Sequence, residues 1–226
     1  MIEENLNVVR KNIADSAKKA GKRPEDIAII CVTKKASIEQ VKEAIACGIT
    51  DIGENRIQNA VEKYNLLRSA ALKWHLIGHL QTNKVKKAVE VFDLIHSVDS
   101  LQIAEAISKE AAKINKTQDV LIQVNVSGEQ SKFGIKPESA IDLIKQIVLL
   151  SNIRVLGLMT IGTLDSSPDD TRQCFRSLKK LFDNLNSLLV THDSQLTTLS
   201  MGMSGDYQMA IEEGSTMVRI GSAIFK

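Results

Sequence analysis

Cysteine is scarce in this 226-residue chain. The three cysteines, Cys31, Cys47 and Cys174, lie far apart and form no C-x-x-C pair. That spacing argues against a disulfide framework or a thiolate zinc site and fits packed, reduced thiols. No Asp, His and Glu set has metal-ligand spacing, so no metal is expected. Long apolar runs are missing too, and none approaches the roughly 20 residues that span a bilayer. The N-terminus, Met1-Ile2-Glu3-Glu4, is acidic where a signal peptide is basic. A cytoplasmic protein without a membrane partner is therefore expected. The net charge is only +2, and aromatics make up 4% and do not interleave with basic residues. Nucleic acid is thus not the expected partner. Linkers, low-complexity segments and hairpin signals are also absent, so residues 1–226 are read as a single domain.

What is present is a strict alternation of two patterns. Ile2, Leu6, Val9, Ile13 and Ala17 recur at helical spacing over residues 2 to 20. The run from Ile27 to Val32 carries no charge and predicts a strand buried on both faces, as parallel strands are. Ser37 and Gln40 then form a capping box, Ile38, Val41 and Ile45 an apolar face, and Gly48 a stop. The unit recurs. Strands are predicted at 50–54, 74–78, 94–98, 120–125, 155–160, 198–203 and 217–225, with helical patterns between them. Strict alternation means parallel pairing, and eight units at this length point to a closed (β/α)8 TIM barrel. The last strand has little chain left for its own helix, so the helix at residues 2 to 20 is the expected cover. An open doubly wound sheet would want a Gly-rich first turn, where this chain has Lys34-Lys35-Ala36-Ser37.

Barrel enzymes keep their chemistry where strands end in βα loops. Lys34 sits at such an end. A partly desolvated lysine there loses proton affinity and becomes a nucleophile able to form a Schiff base. The competing reading is a solvated, basic start to a loop. Other strand ends carry Glu54-Asn55-Arg56, Gly78-His79, Thr160, Ser204-Gly205-Asp206 and Arg219 to Ser222. The loops after strands seven and eight are the usual phosphate site of such barrels, and glycine there permits close backbone approach. A strand-end lysine with a phosphate cup fits two chemistries. One is a Schiff-base aldolase acting on a sugar phosphate. The other is a pyridoxal phosphate site, in which Arg219 could reach the ring nitrogen.

Longer motifs narrow the choice. Val32-Thr33-Lys34, Gly53-Glu54-Asn55-Arg56, Trp74 to Lys84, Gly157-Leu158-Met159-Thr160, Ser200 to Asp206 and Val218 to Phe225 run in order along nearly the whole chain. Together they resemble the pyridoxal phosphate homeostasis protein family, also called the proline synthase co-transcribed family. The resemblance implies a barrel like the N-terminal domain of alanine racemase, with pyridoxal 5'-phosphate as cofactor. It implies that Lys34 is the Schiff-base lysine. It also implies that Ser204, Gly221 and Ser222 hold the phosphate, that Arg219 faces the pyridine nitrogen, and that Asn55, His79 and Met203 line the site. Ser222 stands where the family often has Thr, and the hydroxyl is kept. Lys35 stands where many members have an uncharged residue, which adds a second amine beside the first. Lys132 matches a lysine implicated in a second mode of cofactor capture, against the plain reading of a solvated loop lysine.

The remaining residues are read as structural. His75 and His96 lie within strands, His192 in a polar stretch, Tyr64 on a helix face, and Tyr207 beside the phosphate loop. Arginine only donates, so a ring nitrogen facing Arg219 stays unprotonated and is a weaker electron sink. Racemisation also needs a second acid/base, which alanine racemases take from a tyrosine in an additional β domain of a partner subunit. This chain stops at Lys226, directly after strand eight. The expectation is a monomeric carrier that buffers and delivers pyridoxal phosphate to apoenzymes, with an amino-acid racemase as the alternative.

Overall fold

The computed structural model describes residues 1–67, 71–129, 132–162, 167–189 and 195–226. Its strands are β1 (Ala28–Val32), β2 (Asp51–Glu54), β3 (Lys73–Leu76), β4 (Leu94–Val98), β5 (Gln118–Gln123), β6 (Ile153–Met159), β7 (Thr198–Met203) and β8 (Met217–Ile220). They pair in parallel in chain order and close into a barrel, β8 running beside β1 from Ala28↔Met217 to Cys31↔Ile220. Closure leaves no sheet edge to protect. The helices are α1 (Ile2–Lys19), α2 (Ile38–Ala46), α3 (Ile57–Leu66), α4 (Val85–Val91), α5 (Leu101–Ala112), α6 (Ala140–Ile147), α7 (Pro168–Leu188), α8 (Tyr207–Glu212) and α9 (Ser222–Phe225).

The expected (β/α)8 barrel is therefore observed, and the boundaries move for local reasons. The last predicted strand stops at Ile220, and Ser222–Phe225 forms one helical turn instead. β5 ends at Gln123, although Val124 still makes an isolated bridge with Ile135. A 3-10 turn, Pro137–Ser139, precedes α6, with Pro137 at a first-turn position that needs no N–H donor. The capping box at Ser37 and Gln40 forms as predicted, and Gly48 follows the end of α2 at φ +87°.

Outward-facing strand residues such as Cys31, Ile52, Ile95 and Val120 pack under the helices in the main core. Alternation turns their neighbours inward, where Leu94, Leu121 and Met159 form a smaller cluster. α1 buries Ile2, Leu6, Val9, Ile13 and Ala17, with Glu3 and Glu4 in its first turn and Lys18 and Lys19 in its last, the polarity its dipole favours. It packs on α2, α8 and α9, and Asn5 Nδ2 donates to the carbonyls of Ile224 (2.9 Å) and Lys226 (3.0 Å). The N-terminal helix thus covers the last strand, as expected. Cys31 and Cys174 are buried free thiols and Cys47 is half-buried. Burial pushes the Cys31 thiol up to about 12. Among the described residues no helix is long and apolar enough to cross a membrane.

Candidate functional site

A cavity of about 590 Å³ opens where β1, β7 and β8 end. Six expected site residues line it: Lys34, Met203, Ser204, Arg219, Gly221 and Ser222. Lys34 and Lys35 occupy the turn after β1, and both are exposed and face the same cavity. The second amine that the sequence placed beside Lys34 shares its cavity.

The opposite wall is tightly built. Gly202 has φ +94°, and a Cβ there would lie 2.5 Å from that of Ala210, so only glycine lets β7 turn this closely into α8. Asp206 Oδ1 accepts from the Met203 amide and closes the loop between them. Burial pushes the Asp206 carboxyl above its ordinary value, although the Met203 amide and Arg219 oppose this. Ser204 Oγ accepts from the amides of Gly221 (3.1 Å) and Ala223 (3.2 Å). Its own hydroxyl hydrogen remains for a further acceptor. Ser222 is exposed on the same rim. The hydroxyls of Ser204 and Ser222 thus lie together beside glycine, donors suited to an oxyanion, while the Gly221 and Ala223 amides hold Ser204 in place.

Arg219 is 4% exposed. Its Nη1 donates to Ser200 Oγ (2.7 Å) and its Nη2 to the Thr160 carbonyl (2.8 Å). Burial lowers its pKa to about 10, with Asp206 acting in the other direction, so it is charged at neutral pH. A fixed donor therefore lines the same cavity as the phosphate-type rim.

Two expected residues do not line the cavity. Asn55 is half-buried after β2, where a Cβ on Gly78 would lie 2.2 Å from the Asn55 carbonyl oxygen. His79 stacks on Phe133, centroids 3.9 Å apart and planes at 13°, and its Nδ1 lies 3.8 Å from Asp99 Oδ2. Both belong to the neighbouring lip of the barrel. Lys132 is not a solvated lysine: its side chain is 14% exposed and donates to Glu129 Oε1 (2.6 Å) and the Gly162 carbonyl (3.1 Å). It lines a separate cavity of about 180 Å³ with Gln123, Asn125, Phe133 and Thr160. Tyr207 is buried and its hydroxyl accepts from Asn12 Nδ2 (2.9 Å), so it packs toward α1. Tyr64 packs edge-on to Trp74. His192 lies outside the described residues.

The sequence reading missed Gln40, Phe225 and Lys226 in the cavity wall, and Ser200 behind Arg219. Strand alternation was the available signal for Ser200. Leu199 and Met201 turn to the main core, which turns Ser200 between them into the barrel, and Ser200 pairs beside Met217, two residues before Arg219 on β8.

Residues 5–226 match the family model for the alanine racemase N-terminal domain. The pyridoxal phosphate homeostasis protein of Aquifex aeolicus (strain VF5) is 42% identical over 222 residues, covering 98% of this chain and 96% of that protein. The chain belongs to the pyridoxal phosphate homeostasis protein family. PipY of Synechococcus elongatus PCC7942, solved without PLP, is 33% identical with a TM-score of 0.90 and covers 100% of both chains. Its structure with PLP bound is 32% identical with a TM-score of 0.88, again over 100% of each chain. The resemblance read from the motifs is borne out. The Aquifex member of the pyridoxal phosphate homeostasis protein family is named for a homeostatic role and not for a reaction.

Proposed function

We propose that this chain binds pyridoxal 5'-phosphate as a Schiff base on Lys34 and takes part in intracellular cofactor homeostasis, buffering it and releasing it to apoenzymes without turnover. One observation carries the reading: an amine, two serine hydroxyls beside glycine and a fixed arginine line a single cavity. Pyridoxal phosphate bound in PipY, a relative at 32% identity, supports it. So does the family's homeostatic name. When bound, this cofactor supplies an aldehyde for amine capture and a conjugated ring for electron withdrawal.

The chain's own residues do the holding. Lys34 offers the amine, and its exposure leaves it reachable by a competing amine. Ser204, Gly221 and Ser222 hold the phosphate, the two serines through their hydroxyls and Gly221 by leaving room beside them. Arg219 donates to the ring nitrogen and, being charged, gives that nitrogen no proton to keep. A ring left unprotonated is a poor electron sink, and carbanion chemistry is slow. Asn55, His79 and Met203 are proposed to contribute to the site wall.

The test is the visible spectrum of the purified protein. Bound cofactor should absorb to the red of the protein alone, and borohydride should abolish the band while fixing the adduct to the peptide bearing Lys34. A panel of L- and D-amino acids decides the second half of the proposal. Turnover above the rate of free pyridoxal phosphate would overturn the carrier reading.

A further inference from the structure

Below the cavity, the barrel interior holds a line of polar side chains that cofactor binding does not account for. Arg219 Nη1 donates to Ser200 Oγ (2.7 Å). Ser200 Oγ lies 3.1 Å from His96 Nδ1. His96 Nε2 lies 3.0 Å from His75 Nδ1. His75 Nε2 lies 2.9 Å from Asp51 Oδ1. The line joins β8, β7, β4, β3 and β2, and its Ser200–His96 step crosses the barrel between strands that are not neighbours. Ser200 and His96 are fully buried and His75 nearly so.

With one hydrogen on each ring, the two ends fix the direction of every bond. A guanidinium only donates and a carboxylate only accepts. Burial works against the Asp51 charge, but hydrogen bonds from His75 and Thr50 outweigh it and hold the carboxyl below its ordinary value. Facing that carboxylate, His75 carries hydrogen on Nε2, and with that one ring hydrogen it accepts at Nδ1. His96 must then donate from Nε2 and accept at Nδ1. The donor to Nδ1 is the Ser200 hydroxyl, whose lone pairs are left for Arg219. Burial, with His75 and Arg219 nearby, keeps His96 neutral, its pKa well below the usual 6.5. All four bonds run from the cation to the anion.

We infer that Asp51, His75, His96 and Ser200 are positioning residues: a one-directional hydrogen-bond line that fixes the Arg219 guanidinium in the cavity wall from the opposite end of the barrel. Its effect on a bound ring rests on the cofactor reading above. Loss of the Asp51 acceptor removes the direction. His96 is then free to carry hydrogen on Nδ1, where it competes with Arg219 for the same Ser200 oxygen.

The first test uses the protein without ligand. The chain has four histidines. His79→Gln and His192→Gln leave only His75 and His96 in a 15N–1H correlation spectrum. At neutral pH both rings should be neutral with hydrogen on Nε2, and the Arg219 Nη groups should rotate slowly enough to be resolved. Asp51→Leu should bring up the Nδ1–H form of His96. Ser200→Ala should merge the Arg219 signals, and Ser200→Thr, which keeps the hydroxyl, should not. His96 with hydrogen on Nδ1 in the parent, or Arg219 signals indifferent to both Asp51→Leu and Ser200→Ala, overturns the proposal. The second test is retention. Folded Ser200→Ala should lose pyridoxal and pyridoxal phosphate by the same factor, roughly tenfold, the scale of one hydrogen bond to a charged group. Ser200→Thr should restore it, and unchanged retention in Ser200→Ala overturns the inference. If the parent binds neither compound, the cofactor reading fails on its own, and the ligand-free spectra still decide the positioning line.

Discussion

The two walls of the cavity hold their cations in opposite ways. Arg219 lies within a strand, is 4% exposed, and has both Nη groups in hydrogen bonds. Lys34 lies in an exposed turn, and among the described residues no hydrogen bond or ion pair engages its Nζ. The anchoring on that side stops one residue earlier. Lys63 Nζ donates to the Thr33 carbonyl and to Glu54 Oε1 (2.7 Å), and Thr33 Oγ1 donates to the same oxygen (2.6 Å). The backbone is pinned at Thr33, and the Lys34 side chain beyond it is exposed. The contrast matches two tasks. A group that captures and hands over an aldehyde has to exchange partners, whereas a group that orients a ring has to stay still.

The largest effect should come from the exposed wall. Lys34→Ala removes the amine and should abolish the borohydride-sensitive band completely. The side chain is exposed, so stability should stay within about 0.5 kcal/mol of the parent. Retention of the band would move the covalent link to Lys35, which shares the cavity, or to Lys132. Next comes the anchor beneath it. Glu54 is fully buried, and among the described residues its Oε2 has no hydrogen-bond partner. Lys63→Met would leave that carboxylate buried without its cation. Breaking a buried pair in this way costs about 3–5 kcal/mol, which a denaturant titration would read. A cost near zero would show that the Thr33 carbonyl and Glu54 are held by other means.

The rim of the fixed wall should give a smaller effect. Ser204→Ala with Ser222→Ala removes two hydroxyls that face the proposed phosphate. Each hydrogen bond to a charged group is worth about 1.5–3 kcal/mol, or roughly ten- to a hundredfold in affinity. Pyridoxal, which lacks the phosphate, should be nearly indifferent to the pair. Equal losses for pyridoxal and pyridoxal phosphate would remove these serines from the phosphate cup. Ser204 also accepts from the amides of Gly221 and Ala223, so a melting curve should accompany the titration.

What was legible in the sequence follows the same division. Periodicity revealed every strand, because a parallel strand covered on both faces must be apolar along its length. Lys34, Ser204 and Gly221 were legible because strand ends and small-residue loops mark the barrel mouth. Where β8 ends was not, since Ile220 to Phe225 stays apolar through the turn at Gly221 and gives no change of period. The exposure of Lys34 and the burial of Lys132 were also hidden. Both are lysines in polar loops, and only the Glu129 partner and the Gly162 carbonyl distinguish the second. His75 and His96 read as isolated strand histidines. Their joining depends on side chains from three other strands meeting across the barrel, which no local pattern encodes.

That buried line should leave a signature in the pH dependence of stability, the smallest of these effects. His96 is neutral in the fold, its pKa held well below 6.5 chiefly by burial. In the unfolded chain the same ring takes up a proton near its ordinary value of 6.5. Below that pH the unfolded state binds the extra proton, so stability falls as pH drops, until the ring is protonated in the fold as well. One proton corresponds to a slope of about 1.4 kcal/mol per pH unit. Asp51 adds nothing in that window, because its carboxyl lies below an ordinary value of 3.8 and its contribution is lost only in stronger acid. Denaturant midpoints measured between neutral pH and pH near 5 should therefore decline in the parent. His96→Gln, which cannot titrate, should start less stable and decline less steeply. Lys34→Ala should keep the parental slope, since Lys34 lies outside the buried line. Parallel declines in the parent and His96→Gln would assign the acid sensitivity elsewhere and leave the buried ring without an electrostatic role.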